Sequence, residues 1–399
     1  MLDADDFLRV AFLRSKIIVS SMNLQTLGLK LLRYRDQLTQ TVEEVAIGTG
    51  IGADRLRLIE AGRVEPSGDE ILILADHYRC DFKFFISNDR VAPFDQTETL
   101  YRAHGHEFSK QDRSAVQEFL YLCDTEAFLM EELGRRPAEF PFQPIGAHFK
   151  SHGEAAAAAL RKAMGHNDRQ VPRDIYAEFR SVGVHIFRRK LGNSNISGLF
   201  ILHPTAGKCV LVNYSEDVYR QRFSAAHEMA HAIFDSEEGQ GVTFHRYEGP
   251  DMREVRANRF ASCYLMPPEF LRRLPSPEGW SDADAQKWAN ELRVSCDALG
   301  IAIKAAGLAN SQTSSRIRGL RVPKESKIDP ELPESLTDAQ RARKTAFLER
   351  GLSDHYVGLC LDAYSQGVIS LGRLSEALLC SHGELAEVAS LYGRGINGH

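Results

Sequence analysis

No Cys-x-x-Cys pair occurs among the seven cysteines of this 399-residue chain. They read as scattered thiols in a reducing cytosol rather than as a disulfide frame. Long apolar runs are also missing. No uninterrupted stretch could span a bilayer, so no membrane partner is expected. A basic surplus is lacking too: 49 Lys and Arg face 54 Asp and Glu, for a net charge of −5. This balance argues against a general nucleic-acid or membrane-surface coat. Met1 to Ser21 opens with acids and is broken by charges throughout, unlike a signal peptide, so a cytoplasmic location is expected. Met22 is a second candidate start. Internal repeats and low-complexity tracts are absent beyond the alanine run Ala155 to Ala159. The length suits two or three domains.

Against that background one pentapeptide stands out, His227-Glu228-Met229-Ala230-His231. Two histidines four apart on a helix stand on one face and can point at one cation. The glutamate beside the first can act as general base on a water at that cation. Helix is the expected state, because Ser224-Ala225-Ala226 leads in and Ala230, Ala232, Ile233 and Phe234 continue without Gly or Pro. The bland alternative is a buried helix with two satisfied histidines. A catalytic zinc needs a third protein ligand. In the second helix predicted from Asp251 to Ala261, Glu254, Ala257, Asn258 and Ala261 share a face, and the small residues would let Glu254 approach the histidines. A third histidine six residues after His231 is ruled out, since that position is Glu237, and the glycine of that longer pattern is Phe234. Glu254 is therefore the expected third ligand, with Glu237, Glu238, His245 and Asp251 in reserve.

The run Arg222-Phe223-Ser224-Ala225-Ala226-His227-Glu228-Met229-Ala230-His231, followed by Glu254-x-x-Ala257-Asn258-x-Phe260-Ala261-x-x-x-Leu265-Met266-Pro267, resembles the ImmA/IrrE family of metallopeptidases. The resemblance implies a zincin-like peptidase with His227, His231 and Glu254 as metal ligands and Glu228 as base. One departure is Arg256, where members often carry a second acid before the Ala-Asn pair. Ala285 to Ala309, two helices around Val294-Ser295 with Ser295 as cap, resembles the closing element of the same family.

Upstream, Ser151 to Met164 and Arg173 to Arg180 read as helices and Val184 to Phe187 as a strand. Ile196 to Leu202, a turn at Pro204 to Gly207, and Cys209 to Val212 read as a hairpin. The strand around Ser197-Gly198-Leu199-Phe200 is a candidate edge on which a substrate peptide could be laid by strand addition. An oxyanion donor is also needed, and His245 and Tyr247, between the two site helices, have the right chemistry.

The amino-terminal region carries a second signal. Helices are expected from Leu27, from Thr41 as a cap, from Ala53 to Gly62, and from Asp69 to Tyr78, with a tight turn at Gly48 to Gly52. This is similar to the Cro/repressor type of helix-turn-helix, which implies double-stranded DNA as a partner through Thr41, Glu43, Ala53, Asp54, Arg55 and Arg57. Between Leu24 and Pro66 six bases meet six acids, a balance that lacks the usual phosphate-neutralising surplus.

The expected fold is α+β: an extension at 1–22, a helix-turn-helix domain at 23–92, a helical connector at 93–145, a zincin-like peptidase domain at 146–320, and a linker plus helical carboxyl-terminal region at 321–399. Gln117 to Leu133 reads as a spacer or a homodimer helix, Ser311 to Ala339 as a linker, and the tail as three helical stretches that pack. The functional expectation is a zinc-dependent endopeptidase, with manganese as the alternative metal, that cleaves a repressor-type regulatory protein. Its rival is a DNA-binding regulator or antitoxin whose metal site is structural or sensory.

Overall fold

The computed structural model describes residues 22–88, 97, 100–101, 107–145, 148–235, 240–244 (backbone only) and 252–395. It divides into two compact units, Met1–Phe94 and Asp95–His399.

Among the described residues the first unit holds five helices: α1 Leu24–Gln37, α2 Val42–Thr49, α3 Ala53–Glu60, α4 Gly68–His77 and α5 Phe82–Ile86. Thr41 closes a capping box with Glu44 at the start of α2, and Gly50 at φ 73° ends that helix in the left-handed conformation. Leu31, Tyr34, Val45, Leu56, Ile59, Leu74, Tyr78 and Phe85 meet in one core.

In the second unit the elements described in full begin with α6 Lys110–Glu132, α7 Phe149–Ala163 and α8 Ile175–Arg180. The strands follow: β1 His185–Arg189, β2 Ile196–His203 and β3 Gly207–Asn213. After α9 Val218–Phe234 come β4 Gln240–Phe244, α10 Met252–Leu265, α11 Pro268–Leu271, α12 Asp282–Glu291, α13 Cys296–Ala305 and α14 Ser311–Gly319. The tail contributes α15 Asp338–Leu348, α16 Asp354–Ser365, α17 Leu371–Ala377 and α18 His382–Leu391. The mixed α+β class is as expected.

The sheet order is β1-β3-β2-β4, with β1 parallel to β3 and the other pairs antiparallel. Both faces are covered. Phe200, Val210 and Val212 pack into a core with α7 to α10 and α12 to α14. Leu199, Ile201 and Leu211 pack into another with α6 and α15 to α18. Gly153 brings α7 against the backbone of α10, where a Cβ would collide with the Arg256 carbonyl.

Several expectations change. β2 is not an edge: it lies between β3 and β4, and the short Gly-containing β4 takes the outer position. α6 is a core element, burying Val116, Phe119, Leu122, Cys123 and Leu129, where the sequence suggested a spacer or dimer helix. The stretch expected as a linker begins with α14 and is then tied down where Arg188 of β1 grips Asp329 at 2.7 and 3.0 Å and also pairs with Glu331. The last helical stretch is two helices, α17 and α18, separated around Ser381, which closes a capping box with Glu384.

Candidate metal centre

α9 begins at Asp217, whose carboxylate accepts from the Tyr219 amide. Its buried anchor is Arg222, whose guanidinium donates to the Pro172, Arg173 and Arg293 carbonyls. Ala225, Ala226, Ala230 and Ala232 fill the core side with minimal volume. These small residues let α9 lie close to both the sheet and α10, which fixes where residues 227 and 231 point.

His227, His231 and Glu254 come together, with one ligand atom from each inside a 4.8 Å span. The two Nε2 atoms are 3.1 Å apart. Glu254 Oε2 lies 3.1 Å from His227 Nε2, and its Oε1 lies 3.3 Å from His231 Nε2. Around a tetrahedral zinc with bonds near 2.0–2.1 Å, ligand atoms should be separated by about 3.3 Å. The donor set fits that ion in type and in spacing.

The far side of each imidazole is also occupied. His227 Nδ1 is 3.2 Å from Asn258 Oδ1, and His231 Nδ1 is 2.8 Å from Asp235 Oδ2. With Nδ1–H donating in each ring, both Nε2 lone pairs face the Glu254 carboxylate. Two lone pairs and a carboxylate at such distances repel unless a proton or a metal cation sits among them. Burial works against a charged His231, but Asp235 and Glu254 outweigh it and hold the imidazole at about 10. Glu254 is likewise disfavoured as an anion by burial, yet the two histidines carry it well below the usual carboxylate range. The pocket is built to hold positive charge.

Asp235 is itself clamped. Its other oxygen pairs with Arg256, whose guanidinium stacks over the Phe234 ring at 4.3 Å and the Phe149 ring at 5.3 Å. Burial raises the Asp235 carboxyl, and His231 and Arg256 together bring it below its ordinary value. The sequence departure at Arg256 thus has a place: it backs the carboxylate that orients His231. Asp235 escaped the sequence reading, although its i+4 spacing from His231 was a usable signal.

Glu228 is fully buried and packs against β2 at Gly198. His245, Tyr247, Glu237, Glu238 and Asp251 lie outside the described residues. The residues expected at a DNA groove all sit in the first unit. Thr41 is spent on its cap, Ala53 begins α3, and the arginines are engaged by acids: Arg55 by Glu70, and Arg57 by Glu43 and Asp54.

Among the described residues no helix is long and apolar enough to cross a membrane. No curated protein and no solved structure matches the chain. A family model does match: residues 179–304, which carry all four strands, both site helices and most of α13, are similar to Peptidase M78, the IrrE N-terminal-like domain, a metallopeptidase family.

Proposed function

We propose that the chain is a metal-dependent endopeptidase in which His227, His231 and Glu254 hold zinc, or manganese in its place, and Glu228 is the general base. The observation that carries this reading is the convergence of two Nε2 atoms and one carboxylate, with Glu228 buried beside them. Bound zinc supplies Lewis-acid charge for a scissile carbonyl and lowers the pKa of water. Asn258 and Asp235 hold the imidazoles in the tautomer that presents Nε2. Glu228 takes the proton of the attacking water and returns it to the leaving amine. A substrate segment would add to the outer side of β4, which has no strand beyond it among the described residues. His245 and Tyr247 keep the chemistry of oxyanion donors.

The first unit supports the rest of the proposal. Two short helices separated by a tight turn, α2 and α3, support reading this unit as a helix-turn-helix, for which DNA would be the ligand. Its coupling to a peptidase favours a repressor-type regulatory protein as substrate. A structural or sensory metal site in a DNA-binding regulator or antitoxin would have no need of a buried carboxylate at residue 228.

Glu228→Gln tests the enzyme. The variant should keep one metal per chain and its fold, yet cleave a repressor-type protein substrate at least ~10²-fold more slowly. Wild-type cleavage by this variant would remove Glu228 from the chemistry.

A further inference from the structure

We propose that Gly198 positions Glu228: the missing side chain on β2 makes the space in which the base is held, and this rests on the peptidase reading above. A Cβ built on residue 198 would stand 2.9 Å from both Cγ and Oε1 of Glu228, and 3.0 Å from the Leu211 carbonyl oxygen. Contacts that short do not survive, so one partner must move. The β3 backbone is fixed by its ladder on both sides and α9 is buried along its length. What can move is the end of the Glu228 side chain.

Backbone conformation does not explain this glycine. It is not among the residues with positive φ, so any L side chain could adopt the same backbone. Interior strand positions disfavour glycine, which marks a site of close approach when it occurs there.

A register shift gives independent support. Ile196 pairs with Phe244 and Gly198 with Thr243, so two steps on β2 match one step on β4 and Ser197 is the extra residue. Across that bulge the facing changes. Ile196 packs in the same core as Leu199 and Ile201, whereas strict alternation would put it on the face of Phe200. The bulge turns residue 198 toward α9, and the glycine there leaves room for the carboxylate. Bulges beside a site commonly re-aim the chain in this way.

Gly198→Ala should leave His227, His231 and Glu254 untouched and bind one zinc per chain. Its melting temperature should fall by about 2–10 °C, the range for overpacking in a unit of this size. In a Glu228→Ala background the space is vacated, and the same substitution should cost less than half as much. In a Glu228→Gln background, where shape is retained and charge is not, the full loss should remain. Equal losses in all three backgrounds would overturn the proposal, because the strain would then lie in the strand.

A second readout separates positioning from mere stability. In cobalt-loaded protein, the pH midpoint of the visible spectrum should move in Gly198→Ala in the same direction as in Glu228→Gln, with no further movement in the double variant. An unchanged midpoint would also overturn the proposal. Failure of the wild-type chain to bind zinc or cobalt would count against the peptidase reading alone, since the melting comparison needs no metal.

Discussion

Replacing Asp235 with asparagine should weaken zinc binding by about tenfold, and the structure sets both sign and size. Asp235 accepts from His231 Nδ1 at 2.8 Å and so raises the basicity of the Nε2 atom that faces the cation. Losing such an outer partner usually costs ~10–100-fold in metal affinity. Here the carboxylate is already half neutralised, because its second oxygen is paired with Arg256, a buried cation stacked on Phe234 and Phe149. A bound metal would feel an ion pair rather than a free carboxylate, which places the loss at the low end, ~1.4 kcal/mol. Asparagine keeps an oxygen for the imidazole N–H, so the change isolates charge from geometry. Arg256→Met has the opposite sign: it removes a buried positive charge near a dication and should tighten binding. Competition for zinc against a chromogenic chelator measures both, with a thermal melt to confirm folding. An unchanged dissociation constant in Asp235→Asn, or weaker binding in Arg256→Met, would refute this electrostatic account of the two residues.

The other expectations are more direct. His231→Ala and Glu254→Ala should each lose the metal by elemental analysis, and thiol blockers should leave it in place; full retention in either variant removes that residue from the site. Arg55→Ala with Arg57→Ala should lower affinity for DNA from the upstream region and flatten its salt dependence, at about 0.9 in log–log slope per lost phosphate contact; absence of wild-type binding at low salt would make the first unit a protein-docking surface. On the far side of the sheet, His185 Nδ1 lies 2.6 Å from the buried Glu126 carboxylate. Burial opposes both charges, yet the pairing raises His185 to about 9, and His185 together with His355 lowers Glu126 to about 2. The His185 contribution, up to ~3 kcal/mol, should be intact below pH ~6.5 and fade as pH rises toward 9, while the Glu126 contribution fades as pH falls from ~4.5 toward 2. Denaturant titrations should therefore show a downward slope between pH 6.5 and 9, shared with His231, that Glu126→Gln makes shallower; the same slope in both proteins would rule the pair out as a source.

The parts of the site that were legible in sequence are those set within a single helix. The spacing of His227 and His231 needs only 3.6 residues per turn, and Glu254 follows from the small residues that share its face in α10. Asp235 was within reach by the same rule. Gly198 and the bulge at Ser197 were not, because strand register is decided by partners far away in the chain. The edge position was misjudged for a related reason. Gln240 to Phe244 is short, contains a glycine, and becomes a strand only because β2 offers it a free side. In the first unit helix ends were readable from Thr41 and the turn at Gly48 to Gly52, but the pairing of Arg55 with Glu70 crosses between helices and left no local trace.

The limit drawn from sequence at 92 lies beside the observed division at Phe94, whereas the limits drawn at 145 and 320 fall inside the second unit, and the strands themselves contain the physical reason for its extent. A sheet with one solvated face alternates apolar and polar residues, whereas β2 runs Leu199-Phe200-Ile201-Leu202 and β3 runs Val210-Leu211-Val212 without alternation. Such strands need a covering layer on each face. α9 and α10 supply one, and the site is built there. The other must come from elsewhere in the chain, and it comes from α6 and α15 to α18, which bury Phe119, Leu122, Tyr356 and Leu374 with Leu199 and Leu211. Residue 198 and residue 199 therefore serve opposite cores, one facing Glu228 and the other facing the tail. Among the described residues the helices outside 179–304 add nothing to the His227, His231 and Glu254 cluster, but they fix the strand against which Glu228 rests. A boundary at 145 or 320 would cut through that core. The segment matched by the family model and its flanking helices pack as one unit because the strand beside Glu228 has two apolar faces.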